Sequence, residues 1–115
     1  MEKGRPPLVY ACAGCSSAGK LSYEVARELD RRGAAEMSCL AGVGAKLPVF
    51  LGKLTGRDVW IIDGCPIECA RGVFDQAARP VSRHIRLRDY GIRKQAPEPT
   101  GQDVSALAGR VLSTA

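Results

Sequence analysis

The stretch Val59-Trp-Ile-Ile-Asp63-Gly64-Cys65 is the clearest structural signal in this sequence. Its first four residues are β-branched or aromatic, which is typical of a buried strand, and the Asp-Gly pair after them favours a sharp turn. A second short apolar run, Leu8-Val-Tyr-Ala11, also leads directly into a cysteine, Cys12. Two buried strands that each run into a cysteine predict a sheet with thiols gathered at one edge.

Helical periodicity fills the sequence between and after these strands. Apolar residues recur at helical spacing over residues 21–29, and Gly33 then supplies a C-terminal stop. A second helix is predicted over about residues 68–78, and a third over residues 104–111 with Thr100 or Asp103 near its cap. Each helix therefore follows a predicted strand or ends the chain.

Two further strands are predicted, at residues 36–40 and at residues 82–90. The second alternates apolar and charged residues, which indicates a half-exposed strand at a sheet edge. The glycine-rich but apolar segment 40–57 is interpreted as a short helix that crosses the sheet. Alternation of strands and helices predicts the α/β class, with a small, open, mainly parallel four-stranded sheet and helices packed on it.

Length and composition are those of one globular domain. The chain has 115 residues, so we expect a single domain over residues 1–115, with a core at about 7–95 and a linker plus C-terminal helix at 96–115. No apolar segment is long enough for a signal peptide or a membrane helix, which predicts a cytoplasmic protein without a membrane partner. The formal net charge of +5 is compatible with an anionic ligand. Because known modules and aromatic platforms are missing, a nucleic-acid interface is not expected.

Cysteine is the residue type that carries chemistry here. In a reducing compartment, closely spaced cysteines are typical of metal-binding or catalytic sites, and an odd number argues against a closed set of disulfides. The chain has five, and we take all five as candidate metal ligands: Cys12, Cys15, Cys39, Cys65 and Cys69.

These thiols are expected to converge because each follows a strand. In open parallel sheets, ligands bind beyond the carboxyl ends of the strands, where the strand order reverses. Neighbouring strands lie ~4.8 Å apart, and thiolates around a tetrahedral zinc lie roughly 3.8 Å apart. If the strands before Cys12 and Cys65 are neighbours, the sequence predicts a metal site at this edge.

As an ordered set, Cys12-Ala-Gly-Cys15, Met37-Ser-Cys39, Asp63-Gly-Cys65-Pro-Ile-Glu-Cys69 and Tyr90-Gly-Ile-Arg-Lys resemble the DGC domain family. These are small bacterial and archaeal proteins of unassigned function that are described as zinc-binding. The resemblance covers roughly residues 8–95 and implies one DGC-like domain. It also implies zinc chelation by Cys12, Cys15, Cys65 and Cys69, with Cys39 as a fifth thiol or a substitute ligand.

Two other uses of the thiols stay open at this point. Cys12 and Cys15, at a helix start after the first strand, have the position of a redox dithiol, which predicts a thiol oxidoreductase as the alternative function. Four thiolates would equally hold an iron–sulfur cluster instead of Zn²⁺. Whether the protein is an enzyme is left undecided, and an unidentified protein partner is compatible with either function.

Weaker patterns complete the analysis. The run Gly14 to Lys20 is close to a phosphate-binding loop, but Leu21 stands where a hydroxyl ligand is required. Cys65 and Arg71 fit a phosphatase loop, but Pro66 removes one of the amide donors that such a loop needs. Asp63 is interpreted as either a turn former or a residue that orients a ligand. The only histidine, His84, is expected to be an ordinary surface residue.

Overall fold

A computed structural model of the chain describes residues 5–12, 16–64, 66–93 and 98–114. Strands and helices alternate along that part of the chain, as the sequence predicts. The elements are β1 Leu8–Ala11, α1 Ser17–Arg31, β2 Glu36–Met37, α2 Leu40–Gly44, α3 Pro48–Gly52, β3 Val59–Asp63, α4 Cys69–Ala77, β4 Arg83–Arg86 and α5 Gly101–Ser113, with a 3-10 helix over Leu87–Tyr90.

The four strands form one parallel sheet in the order β2-β1-β3-β4. This confirms the predicted α/β class and the four-stranded parallel sheet. The chain moves outward from β1 to β2, then returns to the other side of β1 to form β3 and β4. The strand order therefore reverses between β1 and β3, where Ala11 lies opposite Ile62. This is the position at which open parallel sheets bind ligands.

One face of the sheet is covered by α1 and α5, and the core on that side is apolar. Ser16 caps α1 by accepting a hydrogen bond from the Gly19 amide, and Thr100 and Asp103 form a reciprocal capping box on α5. Both predicted caps of α5 are therefore used. The buried residues on this face are Val9, Ala11, Leu21, Val25, Ala26, Leu29, Ala35, Ile62, Ile85, Leu87, Val104, Leu107, Ala108 and Val111.

The opposite face is covered by α2, α3 and α4. Because side chains alternate along a strand, Tyr10 and Cys12 point to this face while Val9 and Ala11 point to the other. Tyr10 packs edge-on against Phe74 of α4, with ring centroids 5.0 Å apart. The buried residues here are Leu8, Tyr10, Cys12, Val43, Leu54, Val59, Ile61, Ala70 and Phe74.

The ends of two strands and the number of helices in segment 40–57 differ from the sequence prediction. Strand β2 ends at Met37, because Cys39 already caps α2 through the Gly42 amide. Strand β4 ends at Arg86, because the buried Leu87 begins a 3-10 helix that Gly91 closes at a φ of 81°. The segment 40–57 contains two short helices instead of one. No helix within the described part of the chain is long and apolar enough to cross a membrane.

Candidate thiol site

Cys12 lies at the reversal of strand order, directly after β1. Its side chain is buried, with the residue 3% exposed. The amide of Gly64, just beyond β3, donates a hydrogen bond of 3.2 Å to its sulfur. The two strands are therefore joined at their carboxyl ends through this thiol, and the residue that follows Gly64 in the chain is Cys65.

Ser22 of α1 completes the surroundings of Cys12. Its hydroxyl lies 2.5 Å from the Cys12 carbonyl oxygen, 2.7 Å from the Gly19 carbonyl oxygen and 3.2 Å from the Cys12 sulfur. Because a hydroxyl has one proton and two acceptor positions, it can donate to a carbonyl and accept from the thiol. Ser22 falls on the apolar stripe of α1, and a polar residue at such a position is the signal that sequence reasoning missed.

Gly64 permits close contact between β3 and α1. A methyl group at this position would overlap the carbonyl oxygen of Ala18 in the first turn of α1. The backbone at Gly64 can therefore approach the helix only without a side chain. The glycine brings the turn after β3 against α1, and its amide reaches Cys12 from there.

Asp63 holds the start of α4. Its carboxylate accepts hydrogen bonds from the amides of Ala70 at 2.8 Å and Arg71 at 3.1 Å. The residue at the N-cap position, Glu68, has a left-handed backbone with φ 58° and makes no capping hydrogen bond with its side chain. Asp63 thus replaces the missing cap from the neighbouring strand, satisfying amides that a helix start leaves without partners.

His84 is not a surface residue, so that expectation was wrong. Its side chain is 8% exposed, and its Nε2 lies 2.8 Å from the carboxylate of Asp63. Within the described residues, its Nδ1 is buried and has no hydrogen-bond partner. The alternating pattern of β4 correctly placed His84 and Ile85 on opposite faces of the sheet. However, the face that was expected to be exposed to solvent is covered by α4.

Glu68 adds a second charged contact between the turn before α4 and β4. Its carboxylate pairs with Arg86 at 2.9 Å and with Arg88 at 3.3 Å. Partial burial would raise the pKa of Glu68, but the Arg86 hydrogen bond and the positive charges nearby together lower it. Arg86 and Arg88 are therefore both paired with this carboxylate.

Two of the other candidate ligands, Cys69 and Cys39, lie at the starts of helices that follow β3 and β2. Cys69 is the first residue of α4 and is exposed, as predicted for a thiol at a helix start. Cys39 is exposed two residues after β2, and its sulfur accepts a hydrogen bond of 3.3 Å from the Gly42 amide. Lys20, the last residue of the run that is close to a phosphate-binding loop, pairs with Glu98 at 2.6 Å.

Cys15 and Cys65 lie outside the described residues. Among the residues that are described, no group of three or more cysteine, histidine or acidic side chains is close enough to hold a metal. Cys12, Cys39 and Cys69 therefore do not form a metal centre by themselves. A centre of the predicted kind depends on the contribution of Cys15 and Cys65.

In a comparison with known families, the sequence model of the DGC domain family matches residues 8–111, which is most of the chain. The chain belongs to the DGC domain family. The match extends through most of α5, whose buried face packs on α1 in the same core. A relative from Pseudomonas aeruginosa, named anaerobic and virulence modulator AnvM, is 40% identical over 93 residues, covering 80% of this chain and 71% of that protein. No solved structure matches the chain.

Family membership gives the Asp-Gly-Cys tripeptide a structural interpretation. In this DGC domain, Asp63 caps α4 and Gly64 admits the close approach of α1 while binding Cys12. Asp63 therefore fixes the start of α4, and Gly64 contacts both α1 and the Cys12 thiol.

Proposed function

We propose that this DGC-domain protein binds a zinc ion through cysteine thiolates at the carboxyl edge of β1 and β3. The ligands would be Cys12, Cys15, Cys65 and Cys69. The observation that carries the proposal is the 3.2 Å hydrogen bond from the Gly64 amide to the Cys12 sulfur. It ties a thiol of the first cysteine pair to the residue that directly precedes the second pair.

The chemistry of the surroundings supports thiolate ligands. Cys69 stands at the first position of α4, a helix of nine residues, where the partial positive charge of the helix favours an ionised thiol. The Gly64 amide donates toward the Cys12 sulfur at 3.2 Å, so this sulfur is already held in place at the edge where the ligands would meet. On metal binding, the Cys12 thiol would lose its proton, and the Ser22 hydroxyl would still donate its single proton to one of the two carbonyl oxygens beside it, those of Cys12 and Gly19.

A site with four thiolates leaves no open position on zinc, so such an ion would be structural. Cys39 decides whether the site could also exchange a ligand or a metal. Its sulfur caps α2 and is exposed at the same edge, which supports a role as a fifth thiol that receives or replaces a ligand. With Cys39 in that role, the site would serve in metal or metalloid handling.

The relative from P. aeruginosa is named as a modulator, and we extend that kind of role to this chain as part of the proposal. A modulating role of this kind would depend on a stable fold. A structural zinc at the centre of the sheet edge would supply that stability in a domain of 115 residues.

The experiment is elemental analysis of protein purified without added metal. We expect about one zinc per chain, as for a Cys₄ site. Cys65→Ser and Cys69→Ser are expected to lose most of the metal, because each removes one of four ligands. Cys39→Ser is the matched control, since it changes an exposed thiol of the same edge and is expected to retain zinc.

Two outcomes would overturn the proposal in favour of a named alternative. Absence of metal together with a reversible disulfide between Cys12 and Cys15 would indicate the thiol oxidoreductase. Iron, sulfide and visible absorbance in an anaerobic preparation would indicate an iron–sulfur protein. Zinc retained in full by the double variant Cys39→Ser and Cys65→Ser, in which the substitute thiol is removed as well, would show that the ligand set proposed here is wrong.

A further inference from the structure

A groove of about 370 Å³ lies between α1 and α5, beside the segment that leads into α5. Residues at positions i, i+3, i+4 and i+7 share one face of a helix. The residues of α5 that line the groove have this spacing: Asp103, Ala106, Leu107 and Arg110. The groove therefore follows α5 for about two turns, or about 10 Å. Its volume is within the range of small-molecule sites, which is roughly 300–1,000 Å³.

The middle of the groove is apolar. Leu21 of α1 and Leu107 are almost fully buried, so they form its floor. The half-buried Ile92 and Pro99 and the exposed Ala106 complete the lining and leave apolar surface open to solvent. An apolar chain placed here would lose contact with water on the side that faces these residues, which favours its binding.

The two ends of the groove carry opposite charges, and both charges are exposed. In the described part of the chain, Arg110 donates one hydrogen bond, to the Tyr90 carbonyl oxygen at 3.2 Å, so most of its N–H donors stay available. Asp103 accepts from the Thr100 amide through Oδ2 at 2.8 Å, which leaves Oδ1 for another donor. A ligand can therefore reach a cation at one end and an anion at the other.

From the apolar lining and the charges at its ends, we propose that this groove binds a linear small molecule with an apolar middle, an acid group at one end and an ammonium group at the other. The acid group pairs with Arg110, and the ammonium group pairs with Asp103. Because an extended chain advances about 1.2 Å per bond, a chain of about eight carbons spans the distance between them. This inference concerns the face of the sheet under α1 and α5 and does not depend on metal binding.

The test uses the full chain and three probes of equal chain length: ω-aminooctanoate, octanoate and octylamine. We expect ω-aminooctanoate to shift the methyl NMR signals of Leu21, Ile92 and Leu107. It should bind about threefold more tightly than either probe with a single charge, because an exposed ion pair contributes modestly. Equal affinities for the three probes, or no shift at these methyl groups, would overturn the proposal.

Two variants assign the ends of the ligand. Arg110→Gln is expected to weaken octanoate about threefold and to leave octylamine unchanged. Asp103→Asn should have the reverse effect, and its side-chain oxygen still accepts from the Thr100 amide, so the start of α5 is preserved. A variant that weakens both probes equally would contradict the assignment of the ends.

A second pair of variants tests the groove itself. Ala106→Trp is expected to weaken all three probes at least about tenfold, because the indole ring fills space that the chain would occupy. Gln102→Trp is the matched control, since Gln102 is also exposed on α5 but does not line the groove. Equal losses in the two variants would overturn the proposal.

A second copy of the chain is the other occupant that this experiment detects. If the methyl signals of Leu21, Ile92 and Leu107 shift with protein concentration in the absence of a probe, the groove is an interface between copies. That result would overturn the proposal of a small-molecule site. Signals that stay constant with concentration and shift with ω-aminooctanoate support it.

Discussion

The two faces of the sheet differ in the length of the helices that cover them and in the polarity of the side chains that they bury. The face under α1 and α5 buries an apolar cluster beneath two long helices, each capped by its own flanking side chain. The face under α2, α3 and α4 has shorter helices and carries the buried polar side chains Tyr10, Asp63 and His84. The apolar face stabilises the fold. The other face positions the polar side chains that could take part in binding or catalysis.

The polar face also contains groups that the fold does not fully satisfy. Among the described residues, the Tyr10 hydroxyl, the Ser38 hydroxyl and two nitrogens of Arg57 are buried without hydrogen-bond partners. Burial raises the pKa of Tyr10, although Ser38 and Arg57 nearby act in the opposite direction. Unsatisfied buried polar groups cost free energy, so this face gives up stability that the apolar face supplies.

The largest effect is expected for Asp63→Ala. This change leaves two helix amides and His84 without the carboxylate that binds them, in a fully buried position. We expect the free energy of unfolding to fall by about 3–5 kcal/mol. Urea denaturation followed by circular dichroism measures it.

Asp103→Ala is the control for Asp63→Ala, because Asp103 also belongs to a helix cap but is exposed on α5. Its expected cost is about 1 kcal/mol. Similar losses for the two variants would mean that the buried cap is no more important than the exposed one, and the contrast between the faces would fail.

Leu29→Ala tests the apolar face. Leu29 is fully buried between α1 and the sheet, so its truncation is expected to cost about 3 kcal/mol through lost transfer energy and a cavity. Zinc content per folded chain should stay unchanged, because the residue lies on the face opposite Cys12. A loss of metal from a chain that is still folded would show that the two faces are not separate in function.

A smaller effect is expected for Gly64→Ala. The added methyl group would overlap the Ala18 carbonyl oxygen, so β3 and α1 must separate, at a cost of about 1–3 kcal/mol. Gly72→Ala is the matched control, since nothing lies within 4 Å of a methyl group at that position in α4. The control should be stabilised by up to about 1 kcal/mol through helix propensity, and a loss of stability there would contradict this interpretation.

The smallest effect concerns the dependence of stability on pH through Glu68. Its pKa in the folded state is lowered, so its stabilising contribution is present above the unfolded pKa of about 4.3 and is lost as pH falls through the folded value. At neutral pH, the free energy of unfolding of Glu68→Gln should differ from that of the unchanged protein by at most about 1 kcal/mol. The difference should vanish in strong acid and shrink in about 1 M salt, and a constant difference across pH would contradict it.

The sequence predicted the parallel sheet well because its two central strands, β1 and β3, begin with uninterrupted runs of four apolar residues. It also predicted Cys12 at the end of β1 and Cys69 at the start of α4. It misjudged His84, because alternation along a strand identifies two faces without saying what covers each. The role of Ser22 was missed for a related reason, since its partners are backbone and sulfur atoms brought close only by folding.

The hydrogen bond between Gly64 and Cys12 joins residues that are 52 positions apart in the chain. Closing so long a loop costs entropy before any contact rewards it, and the surroundings of Cys12 cannot form until β3 is present. During synthesis, Cys12 and Cys15 leave the ribosome well before the strand that completes their surroundings. The nascent chain therefore passes through a period in which Cys12 lacks its native surroundings, and synthesis of the intervening residues, at about 5–20 residues per second, sets the minimum length of that period.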